Sequence, residues 1–331
     1  MRRRTPATTI AAAVLALAAA PAAAPAQTIE ESLAAFGPEN GALYIAPLTR
    51  GLGADLATGL FQGAMTLDVL RFELGVTAAG APLSESTHGR FQPVLPSSIA
   101  VPELGGAVFS NPYAVGGDGT SATVVGEGEG AVLSPRGEFR TALLGAGENP
   151  DDFAIVFPDG FDVPVAPHAA LHGALGLPAG FQVTVRWLPS FTPDDDLGEI
   201  DGFGFAAQAE VTRWFRAPEF LHLAVAGGRQ EFNVGRYLDL EVWQFAALGS
   251  ATFGPLELWT ALRGGDGRAD VEWDATGPGG TVVEIRVRDE EIDASGVTLG
   301  TSLRLGPMRL SGAWSPGDFD TFSAGLAAGM F

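Results

Sequence analysis

The chain has 331 residues, 46% of them hydrophobic, with 39 acidic residues against 19 basic ones, all of the latter arginine, and no cysteine. That length suits one large all-β domain, and a net charge of −20 argues against nucleic acid as a partner. The lack of cysteine excludes disulfides, thiolate metal sites and a lipoprotein anchor.

In chain order, Met1-Arg2-Arg3-Arg4 reads as a basic n-region, Ile10 to Ala20 as an apolar h-region and Ala24-Pro25-Ala26 as a small-residue cleavage site. Residues 1–26 are therefore expected to be a signal peptide, with the mature chain starting at Gln27. Loss of Arg2, Arg3 and Arg4 would leave 16 basic against 39 acidic residues, a net charge of −23. Beyond this start no apolar run approaches the roughly 20 residues of a membrane-spanning helix, so any membrane crossing must be made by strands.

Residues 27–53 read as an N-terminal helix and lead-in. A Thr28 cap and apolar residues at Ile29, Leu33 and Phe36 predict a short amphipathic helix that Gly37-Pro38 ends. The small-residue stretch from Ala54 to Met65 is a candidate first strand, opening a barrel region over 54–331.

The strand signal then sharpens. Leu70, Phe72, Leu74 and Val76 alternate with Arg71, Glu73, Gly75 and Thr77. The same period of two recurs with Phe181, Val183, Val185 and Trp187, with Phe203, Phe205 and Ala207, with Leu221, Leu223 and Val225, and with Val297, Leu299, Thr301, Leu303 and Leu305. A soluble sandwich also alternates. Several of these runs reach ten or more residues, near the 9–11 of a tilted transmembrane strand and above the usual strand of about 5–6.

Punctuation agrees. Phe253-Gly-Pro-Leu-Glu-Leu258, Leu305-Gly-Pro-Met-Arg-Leu310 and Arg216-Ala-Pro-Glu-Phe-Leu221 place a proline between two alternating runs, where its missing N–H costs no ladder bond. Pro193–Asp201, Gly264–Gly280 and Asp289–Ser295 read as longer polar loops. Short turns on one side and long loops on the other are the habit of outer-membrane barrels. Residues 80–170 break the rhythm, carrying ten of the 23 prolines, and are expected to form a long external loop, a lumen plug or a lateral flap, or else poorly marked strands.

The expected fold is therefore an all-β, antiparallel transmembrane barrel of about 10–14 strands, from about 20 residues per strand and turn. Arg71, Glu73, Arg186, Glu210 and Arg304 fall on polar faces and are the candidate lumen-facing residues, paired across the interior. Trp187, Trp214, Phe215, Tyr237, Trp243, Trp259, Trp273 and Trp314 lie near strand ends, where an interfacial girdle would sit.

The terminal Phe331 resembles the signal by which outer-membrane barrels are handed to the barrel assembly machinery, although Gly329, Ala327 and Gly325 replace the large alternate residues such signals carry. Together with the Gly-Pro hairpins and two-faced strands, it makes the chain similar to bacterial outer-membrane β-barrels in general. Leu43-Tyr-Ile-Ala-Pro-Leu-Thr-Arg-Gly-Leu-Gly-Ala54 and Leu177–Pro189 resemble segments of an uncharacterised barrel family. The arrangement is more distantly similar to long-chain fatty-acid transporter barrels. This likeness implies outer-membrane lipid and lipopolysaccharide as surroundings, and passage or binding of small hydrophobic molecules. A non-transporting structural or adhesive barrel is the alternative, and a secreted β-sandwich the third.

No nucleophile elbow, P-loop or dinucleotide fingerprint occurs, so neither an enzyme nor a cofactor is expected. His168 and His172 are four apart, but Pro164, Pro167 and Gly173 argue for loop histidines rather than a helical metal pair. The acidic runs Asp194-Asp195-Asp196 and Asp289-Glu290-Glu291 lack the spacing of a calcium loop and read as solvated charge.

Overall fold

The structure, a computed structural model, describes residues 29–330 except 102–103, 193–197 and 277–281; side chains are described from residue 39 onward, and not for 273–285, 290 and 291. The segments expected to be the signal peptide, the Asp194-Asp195-Asp196 run and Phe331 lie outside the described residues.

Eleven long strands follow a single helix, α1 (Ile29–Leu56). They are β1 (Phe72–Pro82), β2 (Val165–Gly176), β3 (Phe181–Phe191), β4 (Ile200–Glu210), β5 (Leu221–Val234), β6 (Leu238–Phe253), β7 (Leu256–Thr276), β8 (Val282–Asp293), β9 (Gly296–Leu305), β10 (Met308–Ser315) and β11 (Thr321–Gly329). Each pairs antiparallel with its sequence neighbour, except that β8 and β9 both pair with β7 and not with each other, and the ring closes where β1 meets β11, Glu73 opposite Gly329 and Gly80 opposite Phe322. β8 and β9 lie end to end along the 21-residue β7, Asp293 opposite Asp266 and Gly296 opposite Arg263. They form one stave, so the barrel has ten, the lower end of the expected range.

Closure removes sheet edges, which a lipid-exposed sheet cannot leave unpaired. The pleat then sorts the side chains. On the outer wall, Leu74, Val76, Val183, Trp187, Phe205, Val225, Phe245, Leu262, Leu299, Leu310 and Leu326 are all exposed, large and apolar. An exposed apolar band that runs around the whole ring has no place in a soluble sandwich, where such faces pack together. Above Trp243 and Leu262 the outer wall of the longest strands turns charged, with Arg229 and Arg268 each 2.7 Å from Glu241 and Arg288 2.7 Å from Asp270. The apolar band thus has a sharp upper limit.

The two rims differ. At one, three turns are short, Leu177–Gly180, Gly254-Pro255 and Gly306-Pro307, beside a ten-residue crossing at 211–220. The other carries by far the longest connection, residues 83–164 between β1 and β2, beside shorter ones at 235–237 and 316–320. This insertion folds into short antiparallel pairs, such as Ser98–Val101 with Ala107–Ser110, and a helix Gly137–Ala146. Its apolar core gathers Leu133, Phe139, Leu143 and Phe157 around Tyr44 of α1, with Val287 of β8. It is a cap over the long-loop rim, neither plug nor run of barrel strands.

Four expectations need correction. The helix does not stop at Gly37-Pro38 but continues to Leu56, because its later turns pack against the cap and the rim of β7 and β8. Tertiary packing overrides the local break. Residues 54–65 are not a strand: they finish α1 and then descend through the lumen, and the barrel begins at Phe72. Gly264–Thr276 is strand rather than loop, since Gly265 and Gly267 let β6 and β8 approach β7 closely: a Cβ on Gly265 would stand 2.1 Å from the Trp243 carbonyl. Asp289–Ser295 is likewise mostly β8, with a break at Ala294-Ser295.

Candidate functional site: the filled lumen

Inward-facing positions are mostly small or polar, with Leu248 and Trp259 among the larger apolar ones, and they grip one segment of chain. Residues 57–67 leave α1 and run down the barrel axis to β1, and wall side chains bond their backbone from all sides. Near the long-loop end, Arg263 of β7 donates to the Ala57 carbonyl at 2.9 Å, Gln230 of β5 to that of Leu56, and Arg186 of β3 to that of Thr58 at 3.2 Å. Arg186 also donates to the Gln230 side-chain oxygen at 2.9 Å. At the same level, Thr58 shares a 2.6 Å hydroxyl bond with Thr321 of β11.

Lower down, Gln208 of β4 donates to the carbonyls of Gly63 and Ala64 at 3.1 and 3.0 Å, and Ser302 of β9 to that of Gln62 at 2.9 Å. The Gln62 side chain joins Thr77 of β1 (3.0 Å) to Arg309 and Ser311 of β10 (3.1 Å each). At the short-turn end the roles reverse: the segment donates and the wall accepts. Met65 N–H bonds Glu257 at 3.3 Å, Thr66 N–H bonds Glu210 at 2.9 Å and Leu67 N–H bonds Gln182 at 2.9 Å. An unbonded amide would be costly in this enclosed space.

Two glycines make the path sterically feasible. Gly59 has φ +74° and sits against Arg186 and Thr77; Gly63 has φ +149° and sits against Glu257. Any side chain at either position would be strained and would collide with the wall. Little space remains: the gap beside Gln62, Glu73, His172, Gln182 and Arg309 is about 20 Å³, room for about one water.

Two of the carboxylates inside are tied to bases. Glu73 forms an ion pair with Arg309 and lies 3.7 Å from His172. Glu210 accepts from both groups of Thr66, from Arg213 at 2.9 Å and from His222 at 2.7 Å, fastening the end of the segment to the rim. Arg186, only 2% exposed, is the cation that acts on the fully buried Asp55.

Of the expected lumen residues, Glu73, Arg186, Glu210 and Arg304 point inward, Arg304 reaching the sulfur of Met65. Arg71 does not: it is exposed in the turn before β1, where Asp68 holds its amide and the alternation has not yet begun. Gln182, Gln208, Gln230, Arg263 and Ser302 were not singled out from sequence, although each occupies the polar phase of an alternating strand. His168 and His172 are strand residues of β2, not loop residues, with His172 buried against Thr77. Among the described residues no group of three His, Asp or Glu side chains could hold a metal. Trp187, Trp214, Phe215, Trp243 and Trp314 are exposed as a girdle requires, whereas Trp259 points inward beside Gly300, Tyr237 packs against the cap core, and the Trp273 side chain lies outside the described residues.

At the long-loop rim a cavity of about 350 Å³ opens between Ala54 and Ala57 of α1, Arg263, the β8–β9 break and the β10–β11 turn at Phe319. Arg50 and Asp293 add charge at its edge.

A closed antiparallel ring with an apolar outer belt, polar interior, short turns at one rim and long loops at the other defines a β-barrel of the outer-membrane type. The chain matches, over residues 3–330, a family described as a family of unknown function (DUF6588), and it belongs to that family. Comparison with curated proteins gives no match. Among solved structures it is similar to an outer membrane channel from Pseudomonas putida F1, at 8% identity and TM-score 0.31, covering 81% of this chain and 98% of that one. It is also similar to a loop-deleted OmpT from Vibrio cholerae, at 10% identity and TM-score 0.23, covering 78% and 98%. A mutant Rh. blastica porin aligns at 11% identity and TM-score 0.18 over 49% of this chain, which spans 55% of that porin.

Proposed function

We propose that this protein is an outer-membrane conduit for small hydrophobic molecules that rests closed, with residues 57–67 as its movable stopper. The observation that carries the reading is the mode of closure. The segment is held by individually modest hydrogen bonds from many staves and by one small apolar patch, in which Leu60, Phe61 and Ala64 pack on Ala206, Ala224, Ala246, Leu248 and Trp259 of the wall. Such a segment can slide or bow aside while the barrel wall stays intact.

The proposed cargo class rests on the cavity at the long-loop rim. Ala54, Ala57 and Phe319 give it an apolar patch within a mainly polar lining that holds Arg50 and Arg263 beside Asp293 and Asp318. Export by residues 1–26, a setting of outer-membrane lipid and lipopolysaccharide, and handling of the carboxyl-terminal strand by the assembly machinery belong to the same proposal. Planar-bilayer recording and uptake of a radiolabelled fatty acid by liposomes test it. Wild-type protein should conduct rarely, and a variant with a loosened stopper, Arg186→Met, should conduct and take up more. A variant that refolds, shows heat-modifiable gel mobility and still neither conducts nor takes up cargo would refute it.

A second reading is a non-transporting structural or adhesive barrel. The contact of the stopper with nearly every stave favours it, since a permanent filling would be built this way. Silence of the loosened variants in both assays would establish that reading.

A further inference from the structure

We infer that α1 stands on the cell-surface side of the barrel, so that the chain enters its own lumen from outside and runs through it toward the periplasm. This rests on the outer-membrane reading and adds a topology to it.

The course of the chain fixes the direction. Asn40 exchanges two hydrogen bonds with the backbone of Val94 in the cap, at 2.9 and 2.8 Å. The Tyr44 hydroxyl donates to the Asp159 carbonyl and the Tyr44 carbonyl accepts from Val124 N–H, both within the cap. Thr49 and Arg50 bond Asp289 in the lower half of β8, and Gly53 packs on Ile292. From there the contacts descend through Arg263, Arg186, Gln208 and Glu210 to the turn where Leu70 N–H meets the Gly176 carbonyl at the short-turn rim.

Short turns face the periplasm and long loops face outward in bacterial barrels of this kind. The cap is the largest long-loop element, and α1 is fastened to it. Residues 29–39 continue the helix for roughly 16 Å beyond Asn40 at the ordinary rise per residue. The amino-terminal part of α1 is thus a cell-surface element, held outside by the cap, whereas the strand termini at Phe72 and Met330 meet at the periplasmic rim through the Met330 N–H to Phe72 carbonyl bond. Whatever the barrel binds from outside meets α1 before it meets the lumen.

The absence of native cysteine makes the test clean. Three single-cysteine variants, each checked for heat-modifiable mobility, are exposed to a membrane-impermeant maleimide on intact cells and after permeabilising the outer membrane: Glu39→Cys on α1, Glu148→Cys in the cap and Glu219→Cys in the short-turn crossing, all at exposed positions. Glu39→Cys and Glu148→Cys should label equally with and without permeabilisation, and Glu219→Cys only with it. Labelling of Glu148→Cys on intact cells with Glu39→Cys protected overturns the inference and leaves the outer-membrane reading standing. Labelling of Glu219→Cys alone on intact cells overturns it by inverting the barrel. Recovery of all three variants in the soluble fraction overturns the outer-membrane reading itself, and the inference with it.

Discussion

The guanidinium of Arg186 donates to the carbonyl of Thr58 at 3.2 Å from a position almost wholly out of solvent, and it is the charge opposing Asp55 one helical turn earlier. One arginine therefore holds the top of the stopper and lies within electrostatic reach of a buried acid. Replacing it with methionine leaves the Thr58 carbonyl and the Gln230 side-chain oxygen without this donor, a loss of about 1–3 kcal/mol. Urea unfolding in detergent should show that loss, and the double variant Arg186→Met, Asp55→Asn should recover part of it. No recovery would mean that the two side chains are not energetically linked.

The amides of the wall glutamines act without charge. Gln208→Ala strips two carbonyls of the stopper of their donor, and Gln230→Ala strips one carbonyl and the Arg186 guanidinium. Each should cost about 1–3 kcal/mol and raise the frequency of conducting events in planar bilayers. A change in stability without a change in conductance would separate the stopper from gating.

At the lower end, Glu210 gathers donors from Thr66, Arg213 and His222. Glu210→Gln retains one acceptor but loses the charge that attracts Arg213 and His222. Residues 66–71 should then become more accessible, read as faster amide exchange confined to that stretch. Uniform acceleration across the barrel would show a general loss of stability instead.

The outer belt predicts its own asymmetry. Val225→Arg, on the exposed apolar face of β5 halfway between Leu221 at the short-turn rim and Arg229 above the belt, should cost about 2–4 kcal/mol. Arg268→Ala, above the belt and 60% exposed, should cost well under about 1 kcal/mol. Refolding into lipid vesicles at graded urea compares them, and equal costs would argue against a lipid-facing band at Val225.

The cap carries a pH signature. Burial first, and then Asp159, raise the Tyr44 phenol above its ordinary value. A raised folded-state value means that the neutral phenol stabilises the fold, fully so below about pH 10 and less as pH climbs toward the raised value. Tyr44→Phe should cost about 1 kcal/mol below that point and flatten the alkaline loss of stability, followed by the release of α1 to protease. An unchanged alkaline profile would assign the loss to other groups.

Much of the barrel was legible in sequence because pleating imposes a strict two-residue period and lipid demands large apolar groups on one phase. Phe181 to Trp187 and Val297 to Leu305 declared both their strand and their outer face this way. The Gly264–Gly280 stretch misled for a local reason: its glycines and acids look like loop residues, and only close packing of β6 and β8 against β7 makes them strand. The lumen residues were half legible. Polar phase identified Glu73, Arg186, Glu210 and Arg304, but it carried Arg71 along with them, because nothing in the alternation marks where a strand begins.

The sequence by itself determined that any membrane crossing must be made by strands, which phase of each such strand is apolar, and that turns and loops alternate. Those are local consequences of side-chain size and polarity. Only the tertiary structure decided that the barrel is filled, that residues 57–67 fill it, and that residues 83–164 cap it. The small residues from Ala54 to Met65 carry almost no pattern of their own, since they are bonded through backbone carbonyls and amides that every sequence possesses. Their place is set by glutamines, arginines and glutamates drawn from six different strands, a convergence that exists only once the ring has closed.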